Sequence, residues 1–154
     1  MENAINIHIR EAVPQDTGQV SALFEAYRRF YKRPPDPEGA RRYIQARLER
    51  QEAVIFIACL ENGEAVGFVQ MYPTFDSLAM QPAWILYDLF VDPRVRRCGA
   101  GRMLMLRAAQ HARSSGASYI ALDTAADNHA AQALYESLGY RQDPDFLSYS
   151  LQIR

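Results

Sequence analysis

The chain has 154 residues and a mass of 17.5 kDa, which suits one folded domain. Hydrophobic residues make up 49% and charged residues 23%, a composition that excludes collagen-like and disordered chains. Because 17 Lys and Arg oppose 18 Asp and Glu, the net charge of −1 gives no general attraction to anionic surfaces. We therefore expect no nucleic-acid partner and no membrane partner.

The sequence shows no sign of export or membrane insertion. The longest apolar runs, such as Ala53–Leu60, are far shorter than the about 20 residues that a membrane-spanning helix needs. The first residues, Met1-Glu2-Asn3-Ala4, lack the basic and apolar regions of a signal peptide. Cys59 and Cys98 form no CxxC motif, which is typical of a reducing compartment. We predict a cytoplasmic protein.

The chain starts with a predicted strand and two predicted helices. The strand is indicated by isoleucines that alternate with polar residues, at Ile5, Ile7 and Ile9. A helix opens at Pro14 and Asp16 and has apolar residues at helical spacing, namely Val20, Leu23, Phe24, Tyr27 and Tyr31. After two prolines, Asp36 and Pro37 are the expected N-cap and first residue of a second helix. Its apolar stripe is Ala40, Tyr43, Ile44 and Leu48.

Three strands follow and are predicted to form an antiparallel meander. They are the apolar segments Ala53–Leu60, Ala65–Tyr72 and Ala83–Val91. The pair Asn62-Gly63 predicts a type I′ hairpin turn between the first two strands. The segment Pro73–Pro82 is predicted to be a loop.

The second half of the chain alternates helices with strands. The predicted elements are a loop, a helix, a strand, a helix and a final strand, at Asp92–Gly101, Arg102–Arg113, Tyr119–Thr124, Asn128–Leu138 and Phe146–Ile153. A strand, helix and strand in this order form a right-handed βαβ crossover. We predict a single α/β (α+β) domain over residues 1–154, with a mixed, mostly antiparallel sheet and a parallel βαβ unit.

The loop before the helix at residue 102 has the chemistry of a phosphate cradle. The first N–H groups of a helix are unpaired and favour a bound anion. Gly99 and Gly101 allow the main chain to come close to a ligand, and Arg94, Arg96 and Arg97 add positive charge. The Lys-Ser/Thr pair of a P-loop and the third glycine of a dinucleotide fingerprint are both missing. Considered alone, this segment could equally be a solvated surface loop.

Two motifs together resemble the signatures of the GNAT superfamily of N-acetyltransferases. Residues 128–140, NHAAQALYESLGY, match the pattern N-x-x-A-x-x-L-Y-E-x-L-G-[FY], and residues 96–101, RRCGAG, match the acetyl-CoA signature [QR]-x-x-G-x-[GA]. The leading strand, the two helices and the meander also fit. The resemblance is to small bacterial-type single-domain members, and it implies a GNAT-like fold and an enzyme that uses acetyl-CoA. His8, His111 and His129 are scattered along the chain, so no metal is expected.

The resemblance also implies where acetyl-CoA binds. In this superfamily the cofactor lies where the sheet splays, between the strands that match Ala83–Val91 and Tyr119–Thr124. Main-chain groups of Leu89, Phe90 and Val91 are expected to pair with the pantetheine arm. The pyrophosphate is expected to bind the loop and helix start, at Arg96, Arg97, Cys98, Gly99, Ala100, Gly101 and Arg102. Cys98 is expected to contribute its N–H group rather than to act as a nucleophile.

The second motif supplies the further cofactor contacts and the expected general acid. Asn128 and Ala131 match positions beside the CoA arm, although Asn128 is also a suitable helix N-cap. Tyr135 matches the tyrosine that the superfamily commonly uses to protonate the departing CoA sulfur. The alternative for Tyr135 is an aromatic residue of the core.

Asp88 is the candidate for a catalytic carboxylate. It is the only charged residue of an otherwise apolar strand, where a carboxylate is either costly or useful. Its strand resembles the Glu-Asp-containing strand of polyamine acetyltransferases, but Tyr87 stands at the glutamate position. Asp88 could therefore orient the amine, accept its proton through water, or serve as a structural acceptor for loop amides.

The acceptor site is expected to combine aromatic and acidic side chains, which suit a small cationic amine. The candidates are Tyr27, Tyr31, Tyr72, Phe75, Asp76, Tyr87 and Asp88, with Tyr27 also on the core stripe of its helix. A polyamine or amino-acid-like acceptor is favoured, and a protein N-terminus or lysine is the alternative. A non-catalytic CoA-binding module and a nucleotide-phosphate binder remain open, and the resemblance makes a homodimer an expectation.

Overall fold

The structure is a computed structural model that describes residues 5–154. Residues Met1 to Ala4, on which the expectation of no signal peptide rests, lie outside the described residues. The described chain forms two compact units, which divide between Asp123 and Thr124, so one domain over residues 1–154 stays a prediction. No helix within residues 5–154 is both long enough and apolar enough to cross a membrane.

Within residues 5–123, the first unit contains a mixed sheet and three α-helices. Its strands are β1 (Ile7–Glu11), β2 (Val54–Leu60), β3 (Ala65–Asp76), β4 (Gln81–Val91) and β5 (Ile120–Leu122), and its helices are α1 (Thr17–Phe30), α2 (Pro37–Glu49) and α3 (Ala100–Ser114). The strands lie in the order β1-β2-β3-β4-β5, antiparallel up to β4 and parallel between β4 and β5. The predicted fold class is confirmed.

The core lies on both faces of the sheet because successive residues of a strand point to opposite sides. On one face, Ile55, Ile57 and Cys59 of β2 belong to a buried cluster with residues of α1 and α2, namely Val20, Leu23, Ile44 and Leu48. On the other face, Phe56 contacts His111 and Arg107 of α3. Burial on both faces explains why the sequence of β2 is one continuous run of apolar residues.

The segment Pro73–Pro82 was expected to be a loop, and this prediction is wrong. Strand β3 continues to Asp76 and β4 begins at Gln81, so only four residues turn the hairpin. The pairing of β2 with β3 ends at Met71, and that of β5 with β4 begins at Trp84. Pro73 on β3 and Pro82 on β4 therefore each lie where the strand has a neighbour on one side only. At such a place a strand tolerates a missing N–H group.

The predicted type I′ turn at Asn62-Gly63 is also wrong, although the hairpin forms. A type I′ turn needs positive φ at both central residues, but only Gly63 has it, at 88°. The N–H of Gly63 donates to the carbonyl of Leu60 at 3.0 Å, and the N–H of Leu60 donates to the carbonyl of Glu64 at 2.9 Å. The turn is thus a three-residue loop that ends in a left-handed glycine.

The second unit contains one helix, α4 (His129–Ser137), and no strand among its residues 124–154. The predicted final strand Phe146–Ile153 is therefore wrong, and the strand expected at Tyr119–Thr124 is shortened to β5. Alternation of apolar and polar residues gives a segment a face, but a strand also requires backbone pairing with a neighbour. Near this segment, Asp143 accepts hydrogen bonds from the N–H groups of Asp145 and Phe146 and turns the chain.

A partly buried ion pair joins β1 to the start of α1, with the Asp16 carboxylate buried and the Arg10 side chain 41% exposed. The guanidinium of Arg10 donates two hydrogen bonds to Asp16, at 2.7 and 2.8 Å, and the N–H of Val13 adds a third at 2.8 Å. The hydrogen bonds from Arg10 hold the pKa of Asp16 below its ordinary value. The charged carboxylate therefore stabilises the fold above the ordinary pKa of about 4, and the contribution is lost as the pH falls through the lowered pKa.

We expect Asp16→Asn to lower the free energy of unfolding by about 1–3 kcal/mol at pH 7, because it removes a buried charged acceptor. The difference from the wild type should shrink as both proteins are unfolded in denaturant at progressively lower pH. Glu38→Gln is the matched control, since Glu38 and Arg42 form an exposed pair at 4.0 Å that should contribute little. A difference for Asp16→Asn that stays constant down to pH 3 would contradict this account.

Candidate active site

The centre of β4 contains a bulge that changes the direction of its side chains. Asp88 is paired with Gln70 of β3, but the next pair is Leu86 with Met71, so Tyr87 is an extra residue on β4. A bulge of this kind bends the strand and increases its twist. The pairing of β4 with β5 ends at Leu86, immediately before the bulge. Residues 87–91 of β4 thus lie beyond the end of β5.

Asp88 is buried at this bulge among neutral partners. Only 5% of the residue is exposed, and Nε2 of Gln70 donates to its Oδ2 at 2.7 Å. Burial raises the pKa of Asp88 above its ordinary value, while hydrogen bonds from Gln70 and Tyr27 oppose that rise. A carboxylate held by neutral donors keeps a stronger affinity for a proton than one that is paired with an arginine.

The four tyrosines predicted for the acceptor site lie together near Asp88. The rings of Tyr27 and Tyr31 are 5.0 Å apart, and those of Tyr72 and Tyr87 are 5.6 Å apart. The hydroxyl of Tyr27 also reaches the carbonyl of Tyr87 at 3.4 Å, which links the two pairs. The result is an aromatic wall contributed by α1, β3 and β4 beside a buried carboxylate.

The structure does not bring Phe75 and Asp76 to this wall. Phe75 is 80% exposed near the end of β3. Asp76 accepts hydrogen bonds from the N–H of Ala79 and the hydroxyl of Ser118, so it organises the hairpin end. From Gln70, the partner of Asp88, to Asp76 the strand extends over about 20 Å.

Two residues of the site were not singled out from the sequence. Tyr43, expected only as part of the apolar stripe of α2, shares a 2.6 Å hydrogen bond with the hydroxyl of Tyr72. Burial, followed by this bond and the charge of Asp88, raises the pKa of Tyr72. Gln70 is the other, and its signal was available, since it is the one amide in the apolar segment Ala65–Tyr72.

The loop after β4 presents the start of α3 to an anion. Helix α3 begins at Ala100 and has Gly99 as its N-cap, with φ of 85° and no capping side chain. The preceding Arg97 also has positive φ, at 67°. A Cβ atom on Gly99 would meet open space, so the left-handed backbone rather than crowding requires glycine here. The uncapped first N–H groups of α3 can therefore donate hydrogen bonds to a phosphate.

The arginines of this loop have different roles. Arg94 is engaged by Asp92 at 2.7 Å and by Glu64 at 2.9 Å, which neutralises its charge. Arg96 donates to the carbonyl of Val91 at 3.2 Å and lies over the ring of Phe90, so it borders the open part of β4. The thiol of Cys98 donates to the carbonyl of Val95, and this contact fits a structural role.

The second unit holds the remaining predicted residues. The side-chain oxygen of Asn128 accepts from the N–H of Ala131 at 3.1 Å, so the N-cap interpretation of Asn128 is confirmed. Tyr135 lies on α4, with its ring 6.1 Å from that of Tyr140. Gly139, with φ of 95°, follows the helix end. Within residues 5–154, no group of three or more His, Cys, Asp or Glu side chains is arranged to hold a metal ion.

Comparison with known proteins shows which family the chain belongs to. Residues 20–140 match the model of the acetyltransferase (GNAT) family. The uncharacterized N-acetyltransferase YhfO of Bacillus subtilis strain 168 is 44% identical over 147 residues, which cover 96% of this chain and 98% of the relative. The D-amino-acid N-acetyltransferase HPA3 of Saccharomyces cerevisiae is 28% identical over 89% of this chain and 86% of its own length.

A solved structure described as a probable acetyltransferase has the same fold. It superposes with a TM-score of 0.91, is 36% identical, and is matched over 96% of this chain and 98% of its own. The family match, the relatives and the fold agree with the sequence motifs. The chain is therefore a member of the GNAT family of acetyltransferases and is an acetyl-CoA-dependent N-acetyltransferase.

Proposed function

We propose that the protein transfers an acetyl group to the primary amine of a small cationic molecule, either a polyamine or an amino-acid-like compound. The observation that carries this proposal is the buried Asp88 among neutral partners and beside an aromatic wall. A carboxylate and tyrosine faces together attract an ammonium group. The name of the yeast relative, which specifies D-amino acids, supports a small amine of the amino-acid type.

The residues of the first unit fit a pantetheine arm with a diphosphate. The uncapped start of α3 and the left-handed backbone at Gly99 suit the diphosphate, with Arg96, Arg97 and Arg102 nearby in the chain. Main-chain groups of Leu89, Phe90 and Val91 would hold the arm, since they lie beyond the end of β5. Asn128 and Ala131 stay in the proposed cofactor set on the resemblance. When bound, acetyl-CoA supplies the thioester carbonyl that the amine attacks.

Asp88 prepares the acceptor in the proposed mechanism. An ammonium group has no lone pair, so it must lose a proton before it can attack a carbonyl carbon. The carboxylate of Asp88 accepts this proton, directly or through one water molecule. The N–H bond breaks, an O–H bond forms on Asp88, and the electron pair stays on nitrogen. General base catalysis of this kind contributes about 10²–10⁴-fold to a rate.

Tyr135 completes the proposed reaction as the general acid. The C–N bond would form and the C–S bond would break, and the hydroxyl of Tyr135 would give its proton to the departing sulfur, so that a thiol leaves rather than a thiolate. The proton that the nitrogen then loses would return through water to the tyrosinate. No covalent bond to the protein forms, and both substrates are bound at the time of transfer. Most of the rate increase then comes from the orientation of the two substrates.

The location and assembly of the protein are also proposed. Cys59 and Cys98 are free thiols in the structure, which suits a reducing cytoplasm. A homodimer is proposed on the resemblance to the superfamily alone.

The proposed function is tested with a panel of polyamines, amino acids and N-terminal peptides, using acetyl-CoA and detection of free thiol. We expect a small amine to be the best acceptor and Asp88→Asn to lower its kcat/KM by about 10²-fold or more, because the base is lost. Glu11→Gln, an exposed strand carboxylate, is the control. Full activity of Asp88→Asn would exclude Asp88 as the base, and preference for peptides would exclude the proposed acceptor class.

Tyr135→Phe tests the general acid, because it removes only the hydroxyl. We expect kcat to fall by about 10²-fold while the Kd for CoA stays within a factor of two of the wild type. Tyr149→Phe is the matched control, since it removes the hydroxyl of a largely exposed tyrosine in the same unit. An unchanged kcat for Tyr135→Phe would show that the sulfur takes its proton from another source.

Gly99→Ala tests the anion cradle. Alanine is strained at positive φ by about 1–2 kcal/mol, so the loop should leave the cradle conformation and the Kd for CoA should rise about tenfold. Gly63→Ala is a close control, since Gly63 has a φ of 88° and open space around it but lies in the β2–β3 turn. Calorimetry and thermal unfolding should show similar destabilisation in both variants and weaker CoA binding only in Gly99→Ala. Equal CoA affinities would remove the loop from the cofactor site.

A further inference from the structure

Gln70 lowers the stability of the fold, because it buries in the middle of the sheet a hydrogen-bond acceptor that is unpaired within the described part of the chain. It is fully buried on β3, directly opposite Asp88. Its Nε2 donates to Asp88, but its Oε1 is buried and meets no hydrogen-bond donor among residues 5–154. An unsatisfied buried acceptor lowers stability, and a methionine of similar size would avoid the cost. The amide is therefore better explained by what it does for Asp88 than by packing.

We propose that Gln70 is a positioning residue that serves both protonation states of Asp88. Before proton transfer, Nε2 donates to the carboxylate, as in the structure. After transfer, a half-turn of the amide brings Oε1 to the same place, where it accepts the new O–H of the carboxylic acid. This inference rests on the proposed role of Asp88 as the base.

The chemistry of an amide matches these two tasks. A glutamine carries a donor and an acceptor at equal reach, and rotation about the last side-chain bond exchanges them. The proton that Asp88 takes comes from the ammonium of the acceptor and later leaves to solvent. Gln70 gains and loses no proton, so it needs no co-reactant. A glutamate at this place would add a second negative charge, and a methionine would offer neither hydrogen bond.

Tyrosines and one arginine also lie in this region. The hydroxyl of Tyr27 on α1 can donate or accept like the amide, but its single proton is shared between the carboxylate of Asp88 and the carbonyl of Tyr87, which lies 3.4 Å away. Tyr72 of β3 shares its hydroxyl with Tyr43 of α2. Arg47 of α2 lies over the ring of Tyr43, 4.4 Å from its centre, and acts on Tyr72 rather than directly on Asp88.

The decisive measurement is the titration of the Asp88 carboxyl carbon by NMR, assigned by its absence in Asp88→Asn. We expect Gln70→Met to raise its midpoint by about one to two pH units, because the charged form loses a charge-assisted hydrogen bond that is stronger than the one lost by the neutral form. The acid limb of the kcat/KM profile should move by the same amount, while the Kd for CoA stays unchanged. Gln45→Met is the control, since the exposed Gln45 also donates to a carboxylate, that of Glu49 at 2.8 Å.

The outcomes separate this inference from the proposed function. An unchanged midpoint in Gln70→Met, or a loss of activity without movement of the acid limb, overturns the positioning role. A shifted midpoint together with an unmoved acid limb supports the contact with Gln70 but removes Asp88 as the base.

A measurement on the wild type keeps the inference testable if Gln70→Met fails to fold. The side-chain amide signals of Gln70 should change with pH at the midpoint of Asp88, because the amide turns when Asp88 is protonated. They should be insensitive to pH over the same range in Asp88→Asn. Amide signals that ignore the titration of Asp88 in the wild type would overturn the proposal.

Discussion

The structure of the site depends on one constraint, which is the burial of a carboxylate inside an apolar sheet. A charged group in such a place needs hydrogen bonds, since its transfer out of water is costly. Gln70 and Tyr27 supply them without any positive charge. An arginine in their place would give stronger stabilisation but would also lower the pKa of Asp88 and weaken it in its proposed role as a base. The neutral partners therefore favour that proposed reactivity over stability.

The bulge at Tyr87 links this carboxylate to the loop that we propose binds the diphosphate. It separates the part of β4 that pairs with β5 from the part that does not. Asp88 lies at the start of the open part, and the loop that leads to α3 begins at Asp92, about 13 Å further along the strand. In the proposed function, one strand thus carries the acceptor chemistry at its bulge and leads to the cofactor chemistry at its end. This geometry explains why one stretch of sequence predicts both.

Features of the fold that are set by local chemistry could be predicted from the sequence. Asp36 caps α2 as expected, because an N-cap needs only a side chain and the next turn of backbone. The extension of β3 through Pro73 could not be predicted, since it depends on where β2 ends. The pattern at Phe146–Ile153 shows the same limit, because strand formation requires a partner. Asp88 was found as a lone charge in an apolar strand, and Gln70 stands out in the same way as a lone amide, but only the register of β3 with β4 shows that the two are partners.

The arrangement of the tyrosines indicates how the acceptor completes the site. Arg47 provides a positive charge in this region, but Tyr43 and Tyr72 stand between it and the carboxylate in the chain of contacts. Burial raises the pKa of Tyr72 and the charge of Arg47 opposes that rise, while the influences on Asp88 are burial and two neutral donors. Among residues 5–123, Asp88 therefore has no cationic partner. In the proposed mechanism an incoming ammonium group supplies that partner, and because the pairing ends once a proton is transferred, the attraction that binds the acceptor also prepares it to react.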